Sequence, residues 1–192
     1  MKRLYIHCGL HKTGSTAIQR AVPAFARRLR RKGTLAIYRG QRFQQHRLAV
    51  AIRGARTFER EADAAERVSR ALAAHRGVAA VISSESFECV LRRPDALARL
   101  HDLAAAGGAA PVLVLYLRGQ ADYAMSLYLQ MIGLRGFWRP FDDVLDEVLR
   151  DGRLIDGRRD FQFDYADLAR HLRASGFEVV LRSFHTLVRG ST

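Results

Sequence analysis

At 192 residues, the chain is long enough for one well-buried domain and cramped for two. It carries 32 lysines and arginines against 19 aspartates and glutamates, a formal net charge of +13, but the arginines are spread through almost every segment, so no single tract marks a nucleic-acid footprint. No apolar run reaches the length needed to span a bilayer, and the two cysteines, Cys8 and Cys89, lack metal-ligand spacing, which argues against a membrane-spanning helix, a zinc site and a disulfide framework.

The apolar, β-forming run Leu4-Tyr5-Ile6 predicts a first strand. Glycines at 9 and 14 follow it in a tight segment, and a helical pattern opens on Ser15 and extends over residues 15–31. Pro23 is expected to end or kink that helix near Val22, giving two helical pieces. Residues 34–38 form a short possible strand. Helices are expected over residues 46–54 and 57–75, the second with Phe58, Ala62, Ala65, Val68 and Leu72 on one face and charges on the other. Residues 78–83 form an apolar run after Gly77, which suits a strand buried on both faces. Pro94 opens a helix that ends before Gly107-Gly108, and residues 112–117 give a third buried strand. Helices over 121–134, 140–150 and 165–174 and a last strand over 177–184 complete the pattern, with 151–160 read as a charged, glycine-bearing loop. The alternation predicts an α/β fold: a single three-layer domain over residues 1–192, with a parallel sheet and helices on both faces.

In such a sheet, ligands gather outside the carboxyl ends of the strands. The turn after the first strand reads His11-Lys12-Thr13-Gly14-Ser15-Thr16. Amides at a helix start lack intrahelical partners and the helix dipole adds positive charge there, so this turn should hold a phosphate or sulfate. Its two glycines have Walker A spacing, yet Ser15 stands where that motif needs lysine, and the lysine is Lys12 instead. Only Lys2, Lys12 and Lys32 are lysines in a chain that otherwise writes its cations as arginine, which suggests a loop site wanting a compact ammonium. Two further rims have content. Ser83-Ser84-Glu85-Ser86 follows the second buried strand, with Glu85 either a base near the loop or a cap of the short helix after it. Arg118 follows the third, with Ser126 eight residues on, inside the next helix.

The order His11-Lys12-Thr13-Gly14-Ser15-Thr16 resembles the 5′-phosphosulfate loop of sulfotransferases that use PAPS (3′-phosphoadenylyl sulfate), especially the bacterial and carbohydrate-modifying branch, whose fold is P-loop NTPase-like. The stretch VLVLYLRGQADYAMSLYLQ resembles that family's 3′-phosphate site, an arginine at a strand end paired with a serine on the next helix. The resemblance implies sulfuryl transfer from PAPS to a hydroxyl or amine of a small-molecule or carbohydrate acceptor, without a metal, leaving PAP. It further implies Lys12 at the bridging oxygen, Ser15, Thr16 and loop amides on the 5′-phosphate and sulfonate, Arg118 and Ser126 on the 3′-phosphate, and Glu85 as general base. His7, His11 and His46 are fallback bases, His7 more simply a packed histidine and His11 a positioner of the loop. Sulfotransferases of this type continue past the last strand with a segment closing over the nucleotide, whereas this chain stops at Thr192. Its reduced thiols and the absence of an apolar leader suggest a soluble cytoplasmic protein.

Two other classes compete. A P-loop kinase or NTPase is opposed by Ser15 at the Walker lysine position and by the missing Walker B aspartate. A basic nucleic-acid-binding domain is favoured by charge alone, with no RNA- or DNA-binding motif behind it.

Overall fold

The computed structural model describes residues 1–37, 46–54, 59–135, 137–157 and 159–185. In chain order these form β1 (Lys2–Gly9), α1 (Ser15–Arg31), β2 (Thr34–Ala36), α2 (His46–Arg53), α3 (Glu59–Ala74), β3 (Ala79–Ser83), a 3₁₀ helix (Glu85–Val90) and α4 (Pro94–Ala106). Then come β4 (Ala109–Leu117), α5 (Gln120–Arg135), α6 (Phe141–Asp151), β5 (Arg153–Asp156), β6 (Arg159–Gln162), α7 (Tyr165–Ala174) and β7 (Glu178–Ser183).

Five strands make one sheet in the order β2-β3-β1-β4-β7, every neighbouring pair parallel, and helices flank it. This is the α/β architecture expected from the alternation of strands and helices. The central strand β1 has Leu4, Ile6 and Cys8 fully buried, and Ile6 lies opposite Ile82 of β3 and Leu113 of β4. Burying Leu4 and Ile6 contributes about 1.5–3 kcal/mol each, which holds the strand whose end carries the glycine loop. A second apolar cluster joins Tyr123 and Leu127 of α5, Val144 and Val148 of α6, and Leu154 and Phe161 of β5 and β6. No helix among the described residues is long and apolar enough to cross a membrane.

Local chemistry sets several boundaries. Pro94 occupies the first turn of α4, where its missing N–H costs nothing, and the Asp164 carboxylate caps α7 by accepting from the Asp167 amide at 2.8 Å. Gly152, at φ 65°, ends α6 in the left-handed conformation that glycine adopts freely.

Three expectations are corrected. Helix α1 is one element through Pro23 instead of two pieces. A proline removes one hydrogen bond of a 17-residue helix, and the intact turns on either side carry the element across it. The stretch expected as a loop over 151–160 contains β5 and β6, an antiparallel hairpin pairing Leu154 with Phe161. Its signal was Gly157, at φ 58°, opening the connection between short runs whose apolar members Leu154 and Phe161 both turn inward. The third sheet strand starts at Ala109, three residues earlier than expected, because its first residues pair with Lys2 and Arg3 at the start of β1. Expectations falling on residues 38–45, 55–58, 136, 158 and 186–192 lie outside the described residues.

Candidate anion site at the first strand-to-helix turn

β1 ends at Gly9, beside the start of α1. A methyl group on Gly9 would collide with Ser15 Oγ and come within 3.3 Å of His7 Cε1, so only glycine lets strand and helix approach this closely. The turn that follows is held from inside. Thr13 is fully buried and directs both its hydroxyl (2.5 Å) and its amide (3.3 Å) at the Leu10 carbonyl. Its side chain therefore shapes the loop from inside.

Two residues of the turn have positive φ, Lys12 at 64° and Gly14 at 76°. For Gly14 this is free, and a Cβ there would stand 2.9 Å from the Phe184 ring. For Lys12 it is strain of about 1–3 kcal/mol, the kind retained where a loop's shape serves a ligand. The Lys12 side chain is exposed.

The amides of Ser15 and Thr16 precede the first intrahelical bond, from the Ala17 amide to the Gly14 carbonyl at 2.9 Å, and the first turn of α1 has no acidic residue to offset the positive helix end. Ser15 Oγ is shielded from solvent and has no hydrogen-bond partner among the described residues. Gln19 Nε2, one turn further along the same helix face, is in the same state. Unpaired buried polar atoms are uncommon and costly, and here they sit where an anion would be received.

Arg118 comes to this turn from the end of β4. Its Nη1 donates to the Lys12 carbonyl at 3.2 Å, its guanidinium carbon stands 5.6 Å from the centre of the Phe184 ring, and its own carbonyl accepts from the Tyr165 hydroxyl at 3.0 Å. Two segments 106 residues apart in sequence thus meet at one point. Beside them opens a cavity of about 520 Å³, lined by Arg118, Gly119, Gln120, Tyr165, Leu181 and Arg182 among others. Ser126 is half-buried on α5, and no hydrogen bond joins it to Arg118 among the described residues.

Glu85 lies half-buried in the first turn of the 3₁₀ helix. That helix is capped by Ser84, whose Oγ accepts from the Ser86 amide at 3.2 Å, so the capping alternative for Glu85 gives way to its neighbour. Glu85 instead lines a cavity of about 260 Å³ with His11, His46, Arg53 and Arg159. His46 Nδ1 is 2.6 Å from Ser86 Oγ. His7 is packed in the sheet with Nδ1 2.7 Å from Ser83 Oγ, and burial lowers its pKa to about 4, so it is neutral at pH 7.

A residue not singled out from the sequence organises the loop from beneath. Glu88 is 1% exposed. One of its oxygens, Oε2, accepts from the His11 amide (2.8 Å) and lies 2.6 Å from His11 Nδ1. The other, Oε1, accepts from the Tyr123 hydroxyl (2.8 Å) and the Gln162 amide (3.2 Å). A single carboxylate thereby ties the turn after β1 to α5 and β6, and His11 acts as its link. Burial and then the nearby Glu88 charge raise the Tyr123 pKa well above its usual value, and the same two causes push the Cys89 thiol up to about 11. The signal in the sequence was an acidic residue within the run Phe87-Glu88-Cys89-Val90.

No protein-family model and no curated protein sequence matches the chain. Among solved structures, a presumed kinase from Chloroflexus aurantiacus superposes with a TM-score of 0.44 at 15% identity, over 99% of this chain and 93% of that one, too low for argument. A sulfotransferase from Alicyclobacillus acidocaldarius is similar over 98% of this chain and 76% of its own, with 15% identity and a TM-score of 0.57. At that identity the likeness is one of fold: the parallel α/β sheet and its flanking helices are arranged as in that sulfotransferase.

Proposed function

We propose that residues 1–192 form one nucleotide-binding domain of a sulfotransferase that moves a sulfuryl group from PAPS to a hydroxyl or amine of a small-molecule or carbohydrate acceptor. The observation that carries the reading is the meeting of Arg118 with the Lys12 carbonyl. It brings the loop that would hold a 5′-phosphosulfate beside a second cation that would hold a 3′-phosphate, and a cavity of nucleoside size opens on the Arg118 side.

PAPS supplies a sulfuryl group already activated on its 5′-phosphate, so the protein's task is to position it and to stabilise charge on the departing oxygen. Lys12 brings an exposed ammonium to that oxygen. Gly14, Ser15 and Thr16 offer amides, and the unpartnered Ser15 hydroxyl offers a further donor to the phosphosulfate oxygens. Arg118, with Ser126 on α5, takes the 3′-phosphate. Glu85 accepts the proton of the attacking hydroxyl as the new sulfur–oxygen bond forms. A transferring sulfuryl carries less negative charge than a terminal phosphoryl, which fits a site built on a lysine and backbone donors.

Calorimetry with PAP in EDTA, set against ATP with magnesium, tests the reading. PAP should bind without metal and more tightly than magnesium ATP. Tight, magnesium-dependent ATP binding with no response to PAP would favour a P-loop kinase instead.

A further inference from the structure

Beside the anion loop lies a second polar cavity, of about 260 Å³. Its walls come from four segments. Helix α2 presents His46, Ala49, Val50 and Arg53, which recur at the spacing of one helix face. The 3₁₀ helix adds Glu85, Ser86 and Cys89, β6 adds Arg159, and the loop adds His11, the neighbour of Lys12.

The charges lining this cavity are poorly balanced from within. Neither Arg53 nor Glu85 takes part in an ion pair among the described residues, and Arg159 reaches its nearest carboxylate, Asp156, only at 3.9 Å. Arg53 Nε is shielded from solvent and has no hydrogen-bond partner among the described residues. Two arginines against one glutamate leave a net positive lining. A guanidinium fork matches the two coplanar oxygens of a carboxylate, or two oxygens of a sulfate, better than it matches any neutral group. The volume lies just below the range of pockets for drug-sized ligands, which sets the scale at one ring-sized unit.

We propose that this cavity is the acceptor subsite and that it selects a hydroxylated unit bearing a carboxylate or sulfate, such as an acidic sugar residue. Arg53 and Arg159 hold the anionic group, and Glu85 faces a hydroxyl of the same unit. The inference rests on the sulfuryl-transfer reading for its role, while the anion selectivity follows from the lining alone.

The test is ligand-observed NMR titration of the full chain with D-glucuronate, D-glucose 6-sulfate and neutral D-glucose, alongside calorimetry with PAP. Either anionic sugar should bind at least tenfold more tightly than glucose, and comparing the two says whether carboxylate or sulfate is preferred. Arg53→Gln and Arg159→Gln should each reduce that preference at least threefold while PAP affinity and melting temperature stay near wild type. Arg159→Gln keeps the test alive if Arg53→Gln fails to fold. Equal affinity for glucose and the anionic sugars, or no binding of any of them, overturns the proposal even if PAP binds as expected. Anionic sugars that bind while PAP does not would uphold the selectivity and overturn the sulfotransferase reading instead.

Discussion

Replacing Glu88 by glutamine is a near-isosteric change that puts the loop's support to a quantitative test. Oε2 faces two groups of His11 and Oε1 faces Tyr123 and Gln162. A glutamine has one accepting oxygen and one NH₂, so whichever way the amide turns, the NH₂ meets the backbone N–H of either His11 or Gln162, which can only donate. That hydrogen bond to a charged acceptor is then lost, at roughly 1.5–3 kcal/mol. Against a typical stability of about 5–15 kcal/mol that is a sizeable fraction, and at roughly 2–4 °C per kcal/mol it lowers the melting temperature by on the order of 5 °C. Urea denaturation of Glu88→Gln and the parent protein measures it. A variant within about 1 kcal/mol of the parent would refute the claim that Glu88 is the anchor of the loop.

Lys12→Ala removes stabilisation of the leaving oxygen, strongest in the transition state, and should lower turnover about 10²-fold or more while PAP affinity falls less. Glu85→Gln should leave PAP affinity and melting temperature intact and slow transfer by about 10²–10⁴; a normal transfer rate would remove Glu85 as the base. Ser84→Ala should cost roughly 0.5–2 kcal/mol through loss of the 3₁₀ helix cap, and no change in denaturation midpoint would show that the cap is idle. His7, with a folded pKa of about 4 against 6.5 unperturbed, binds its proton more readily in the unfolded chain. Its contribution is therefore complete above pH 6.5 and is lost as pH falls toward 4, up to ~3 kcal/mol. The slope of stability over that window should flatten in His7→Asn, and an unchanged slope would mean another group sets the acid sensitivity.

Much of the sheet was legible because its strands are apolar runs with glycine or proline punctuation, as at Gly77 and Gly107-Gly108. Ends moved by up to three residues where pairing with a neighbour decided them, as for β4. The hairpin of β5 and β6 was hidden by its charge, since Arg153, Asp156, Arg159 and Asp160 outweigh Leu154 and Phe161 in a reading by composition. Within the candidate site, the loop residues could be found because a strand, glycines and a lysine coincide in a short span. That Arg118 touches the Lys12 carbonyl is a long-range fact which local pattern does not contain, and the expected partnership with Ser126 rests on resemblance. Glu88 and Glu85 illustrate the remaining limit: two glutamates three residues apart in one short helix, one buried under the loop and one in the cavity. Only the direction in which that helix packs separates them.

The central claim is that the loop and Arg118 form one site for a nucleotide carrying both a 5′- and a 3′-phosphate. It is tested most directly by the ratio of affinities for PAP and adenosine 5′-phosphate, measured by calorimetry on the parent protein and on Arg118→Ala. A hydrogen bond to a charged group is worth roughly 1.5–3 kcal/mol, so the parent should prefer PAP by about tenfold or more, and Arg118→Ala should bring the ratio close to one. Equal affinity for the two nucleotides in the parent protein would contradict the account.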